Sequence, residues 1–221
     1  MTVSIPLIIS DMGENALLCQ LPDMPLSVEN QKRIWALAEA SSHLDGVEEI
    51  VPGMNNLLVV FNSLHLEADK LNNELQSLWK LGKSNAQKSR ILEIPVRYGG
   101  QYGEDLEWMA QKVSLSIEEF VNLHANADYT VFALGAQPGF GYLGGLNAKL
   151  GFPRRQVPRI QVQAGAVIIG GNQTAVQSRT SPSGWHIIGF TEIEFFDPCR
   201  ADPALLRPGD KIKFVVEEIV K

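Results

Sequence analysis

The chain has 221 residues, 45% hydrophobic and 20% charged, with a net charge of −6. That is an ordinary globular composition with room for two small cores, and its acidic balance excludes nucleic acid, which needs an extended basic footprint. No apolar run approaches the roughly 20 residues of a membrane helix, Met1 to Ser10 is not expected to be a signal peptide because no basic residue precedes its short apolar run, and the isolated Cys19 and Cys199 favour a reducing cytoplasm over a disulfide framework. The first 82 residues predict a small α+β unit. Val3 to Ile9 and Ala16 to Leu21 predict strands. Ser27 is the expected N-cap of a helix running to about Ser42, with Glu29 at the positive dipole end and Ile34, Trp35, Leu37 and Ala38 as its buried stripe. Asp45-Gly46 is a stop, and Val47 to Val51 and Leu57 to Phe61 predict a hairpin across Pro52-Gly53. Leu71, Leu75, Leu78 and Trp79 recur at helical spacing. Residues 83–90, a polar stretch opening just after Gly82, are expected to form a linker.

Residues 91–221 predict a second domain. Ile91 to Val96 reads as a strand followed by two short helices. The second of these opens on the capping box Ser116-Ile-Glu-Glu119, with Leu115 and Phe120 as the hydrophobic staple. From Tyr129 onward, short runs rich in branched and aromatic residues are broken by Gly and Pro: Val162, Val167 to Ile169, Thr174 to Val176, Trp185 to Phe190 and Ile193 to Phe196. They predict a β-barrel or sandwich. In the last strand Ile212, Phe214 and Val216 alternate and predict one buried face.

Charge is unevenly placed in this second half. Between Tyr129 and Thr191 there is no Asp or Glu, while Lys149, Arg154, Arg155, Arg159 and Arg179 give a local +5. Two readings follow: a site cleared of carboxylates to receive an anion held by arginine forks, or a glycine-rich β region with arginines solvated on its rim. Pro153 and Pro158 hold the arginine segment extended, so Arg155 and Arg159 share one face and Arg154 takes the other. Gly139-Phe-Gly-Tyr-Leu-Gly144 satisfies a dinucleotide fingerprint, but no long helix fits before Pro153 and no acidic ribose ligand follows, so a Rossmann reading is rejected. It is expected instead to form a tight loop walling a pocket, with Pro138, Gly139, Phe140, Tyr142 and Gly144, or a barrel corner. Gln173 and Thr174 offer neutral hydrogen bonds suited to an amide or lactam. His124 ends the capped helix, where the negative dipole end favours its protonated form, as a candidate acid or base or as a cap for carbonyls. His43, His65 and His186 stand alone, so no metal site is expected. Ser181 and Trp185 belong to a Ser-Pro-Ser-Gly-Trp turn, which lacks the nucleophile elbow of a serine hydrolase.

Several collinear motifs resemble the allophanate hydrolase subunit 1 family, which also covers the B-type subunits of 5-oxoprolinase, an inhibitor of sporulation kinase A and subdomains C and D of urea amidolyase carboxyltransferase. They are Tyr129 to Gly135, Gln137 to Leu146, Pro153 to Arg159 and Ser181 to Trp185, with Gly46 to Pro52, Ile94 to Tyr98 and Asp105-Leu-Glu upstream and Ala204 to Phe214 downstream. Ala136, Ala175, Gln177 and Ser183 depart from the pattern. The resemblance implies an α+β chain in which a small N-terminal α/β sandwich precedes a cyclophilin-like β-barrel. It further implies an ATP-dependent 5-oxoprolinase whose active site and ATP are shared with A-type and C-type companion subunits. The small anionic substrate would meet Arg154, Arg155, Arg159, Gln173, Thr174, Ser181 and Trp185, with His124 as the catalytic candidate. A non-enzymatic histidine kinase inhibitor and a carboxyltransferase subunit are the alternatives it leaves open.

Overall fold

A computed structural model describes residues 6–22, 24–82 and 89–221, so the start of the predicted first strand and most of the expected linker lie outside the described residues. The chain divides into two compact units, residues 1–88 and 89–221. In the first, β1 (Ile8–Asp11), β2 (Ala16–Gln20), β3 (Val47–Pro52) and β4 (Asn56–Phe61) form an antiparallel sheet in the order β1-β2-β4-β3. Helices α1 (Val28–Ser41) and α2 (Ala68–Leu81) pack onto it. Ser27 caps α1 by accepting from the Asn30 amide. Ile34 and Leu37 of α1 and Leu71, Leu75 and Trp79 of α2 are buried with Leu17, Leu57 and Phe61 of the sheet. Trp35 is only half-buried, at the edge of the predicted stripe.

The second unit opens with β5 (Ile91–Gly99), α3 (Leu106–Lys112) and α4 (Ile117–Ala125). It continues through β6 (Tyr129–Leu134), β7 (Gly141–Gly144), β8 (Arg159–Val162), β9 (Ala166–Gly170), β10 (Gln173–Val176), β11 (Ser181–Ser183), β12 (His186–Phe190) and β13 (Lys211–Val220). Seven strands close into a barrel in the order β10-β7-β6-β13-β5-β12-β9, and β8 and β11 form a separate two-stranded ribbon. Both halves of the predicted capping box are made: the Ser116 hydroxyl accepts from the Glu119 amide, and the Glu119 carboxylate accepts from the Ser116 amide. This fixes the start of α4, whose Phe120, Val121 and His124 enter the barrel core.

Two strand expectations need correction. Ile193 to Phe196 forms only a single bridge, between Phe196 and Ala204, because the ring is already closed and leaves no edge to extend. Past Phe214 the alternation of β13 fails, and Val215 and Val216 are both exposed. Only Lys211 and Ile212 pair with β6; beyond them β13 pairs with β5 alone, through a bulge, and so loses its cover.

Candidate functional site

The expected extended run is interrupted: between Pro153 and Pro158 the chain bends at Gln156 and Val157, and strand β8 begins only at Arg159. Arg155 and Arg159 turn to one side and meet Asp105, at the start of α3. Arg159 donates to both carboxylate oxygens, Nη1 to Oδ2 at 2.9 Å and Nη2 to Oδ1 at 3.0 Å, and Arg155 Nη1 donates to Oδ1 at 3.2 Å. The Ile187 amide donates to Oδ2 at 2.7 Å. Glu104 accepts a further bond from Arg159. Burial raises the Asp105 pKa, but the Arg159 hydrogen bonds, the Ile187 amide and the nearby charges outweigh it and hold the carboxyl below its ordinary value. The anion that these two arginines bind is therefore a carboxylate of their own chain. Arg159 has both Nη groups engaged by Asp105 and Glu104 and so few donors left for a substrate, whereas Arg155 gives Asp105 a single donor and its buried Nε has no hydrogen-bond partner.

Asp105 is the residue that the charge pattern hid, because it lies upstream of the acid-free block. Its one signal in the sequence was its place in the Asp105-Leu-Glu motif. His186 was also missed. It is buried, donates from Nε2 to the Pro153 carbonyl at 3.0 Å, stacks on Trp108, and has Nδ1 3.9 Å from Asp105 Oδ2.

Arg154 takes the opposite side. Its guanidinium lies 5.9 Å from the Trp185 ring centroid, within cation–π range. Trp185 belongs to an aromatic cluster with Phe140 and Tyr142, whose centroids are 6.1 and 6.3 Å from it and 5.0 Å from each other. Phe140 and Trp185 are buried, whereas Tyr142 and Arg154 reach solvent. Gly170 is required beneath the indole, since a Cβ there would sit 2.5 Å from it. The glycines of the 139–144 string serve packing: a Cβ at Gly139 would meet the Phe195 carbonyl at 2.7 Å, and one at Gly144 would meet the Phe132 ring at 2.4 Å. The Pro138 carbonyl accepts from Ser178, and the Ser181 hydroxyl accepts from Gln177 at 2.6 Å. Gln173, half-buried, opens β10. Cavities of about 120 Å³ between α1 and α2 and about 220 Å³ next to Arg97 and Phe190 are lined by none of the residues expected of an anion pocket. Among the described residues, no group of three or more His, Cys, Asp or Glu is arranged to hold a metal.

His124 and Thr174 are not at a surface. His124 is fully buried against Phe214 and Tyr129, and its nitrogens reach from Tyr98 on β5 to Thr174 on β10 across the barrel. The Thr174 hydroxyl donates to the Ile168 carbonyl at 2.9 Å, so it accepts from His124 Nε2–H at 3.0 Å. Nδ1 is then the acceptor for the Tyr98 hydroxyl at 2.9 Å. Burial pushes the imidazole pKa down to about 3. This reverses the expected protonated form, because desolvation of a fully buried ring outweighs a helix-end dipole. Both nitrogens are committed inside the chain, so His124 braces Tyr98 against Thr174 across the barrel.

The chain thus combines a four-stranded sheet with two helices in one unit and a closed seven-stranded barrel with an aromatic and arginine-bearing arm in the other. The model for the carboxyltransferase domain, subdomain C and D, matches residues 7–206, and the chain belongs to that family. It is 44% identical over 210 residues to the B-type subunit of 5-oxoprolinase from Escherichia coli O157:H7, covering 94% of each chain. It is also similar to the crystal structure of TTHA0988, at 34% identity and TM-score 0.78, covering 91% of this chain and 39% of that one. The urea amidolyase of K. lactis has the same fold over 98% of this chain and 15% of its own, at TM-score 0.81 and 18% identity.

Proposed function

We propose that this chain is the B-type subunit of an ATP-dependent 5-oxoprolinase complex that hydrolyses 5-oxo-L-proline to L-glutamate. The observation that carries the reading is the 44% identity to a B-type 5-oxoprolinase subunit over 94% of both chains. The substrate is an anion with a lactam, and Arg154 is the cation of the arm with no carboxylate partner among the described residues. Arg154 receives the substrate carboxylate, with the Tyr142, Phe140 and Trp185 rings as an apolar wall. Asp105, through Arg155 and Arg159, keeps the arm in place. His124 and Thr174 take no part in proton transfer.

A nucleotide does not fit the glycine string of this chain. The space that a phosphate cradle needs is filled by Phe132 and the Phe195 carbonyl, and no Walker lysine follows. ATP is therefore assigned to the companion subunits, where it activates the lactam carbonyl for attack by water. The test mixes the purified chain with A-type and C-type subunits and measures 5-oxoproline-dependent ADP and glutamate release. Activity that needs all components supports the reading, and Arg154→Ala should lower kcat/KM at least tenfold with an unchanged melting temperature. Absence of 5-oxoproline-dependent turnover in the complete mixture refutes it.

A further inference from the structure

We infer that the arm from Pro153 to Val162 is the docking element for a companion subunit, apolar at its tip and cationic at its flanks. This rests on the function proposed above. Val157 is 76% exposed and Ile160 88%, although both lie in a segment held from beneath. The hold is dense: Asp105 takes Arg155 and Arg159, the Arg155 amide donates to the Gly184 carbonyl at 2.7 Å, and His186 donates to the Pro153 carbonyl. A segment anchored this firmly while presenting Val157 and Ile160 to solvent is preorganised for association and loses little entropy on binding.

Charge and backbone point the same way. Six arginines of the barrel unit, Arg90, Arg97, Arg155, Arg159, Arg200 and Arg207, each pair with a carboxylate. Arg154 and Arg179 have no ion pair among the described residues, and they flank the ribbon: Arg154 begins the arm, and Arg179 precedes β11, which pairs with β8. β8 pairs only with β11, so its outer edge carries no strand among the described residues. A free strand edge next to an exposed isoleucine is a template for another chain unless a partner covers it.

These features choose the occupant. The substrate at Arg154 would leave Arg179, Val157, Ile160 and the β8 edge bare. A second copy docking through the same patch about a two-fold axis would set arginines against arginines. A companion subunit offering a carboxylate to Arg179 beside an apolar recess covers all of these and leaves Arg154 to the substrate.

The experiment measures binding of the full chain to the A-type and C-type subunits, each separately, by titration calorimetry. The variants are Val157→Asp and Ile160→Asp, with Leu64→Asp as control, because Leu64 is 90% exposed on the other unit. The arm variants should weaken Kd for one companion at least tenfold, with unchanged melting temperatures and an unaffected control. Wild-type binding that survives both arm variants overturns the docking surface and leaves the 5-oxoprolinase reading standing. Failure of the wild type to bind either companion overturns both. A wild-type homodimer in sedimentation that the arm variants dissociate overturns the choice of occupant.

Discussion

Replacing Asp105 tests whether one buried carboxylate organises the arm. Its side chain is 9% exposed, against 34% for Arg155 and 19% for Arg159. Removing one partner of a buried pair costs about 3–5 kcal/mol. Here the partly exposed guanidinium groups can turn to water, which brings the figure for Asp105→Ala to the lower end, ~3 kcal/mol, including the orphaned Ile187 amide. For a unit of this size that is about 10 °C in Tm. Asp105→Asn keeps the shape but sets an NH₂ against a donor, and should cost about 2 kcal/mol. Because the folded-state pKa is depressed, the contribution is present above the ordinary carboxylate pKa and is lost as pH falls through the folded value. The gap between wild type and Asp105→Asn should therefore shrink below about pH 4. Urea unfolding measured with Asp105→Asn, Arg159→Met and the double variant gives the coupling, expected to be at least ~1 kcal/mol for groups in direct contact. A coupling near zero, or an Asp105→Asn cost below about 0.5 kcal/mol, would refute the reasoning.

Two further outcomes follow from the barrel interior. His124 is neutral when folded, with a pKa of about 3, and ordinary when unfolded, so its stabilisation is complete above about pH 6.5 and declines by ~1.4 kcal/mol per pH unit as the pH falls toward 3. His124→Phe should remove that slope in chemical denaturation between pH 6 and pH 4, at a fixed cost of about 1–3 kcal/mol for the orphaned Tyr98 hydroxyl, and a slope unchanged in the variant would contradict the assignment. Gly170→Ala should displace the Trp185 indole, destabilise the barrel unit by about 1–3 kcal/mol and shift tryptophan emission. An unaltered spectrum and melting curve would show that the contact is slack.

The local elements were legible because each rests on chemistry within one turn or one strand. The capping box of Ser116 and Glu119 fixed α4, Ser27 fixed α1, and Leu71, Leu75 and Trp79 disclosed the buried face of α2. Arg155 and Arg159 do part from Arg154 as expected, but through their shared contact with Asp105 and not through a strand period, since the chain bends at Gln156 and Val157 between them.

What the sequence alone determined, then, is the elements and an acid-free stretch that needs negative charge from elsewhere. The tertiary structure decided where that charge comes from. Closing the barrel carries Asp105, 50 positions before Arg155, beneath the arm and places His124 between opposite walls with its charge expelled. Neither outcome has a local signature, because desolvation and ion pairing depend on distances across the fold, which composition and periodicity along the chain do not encode.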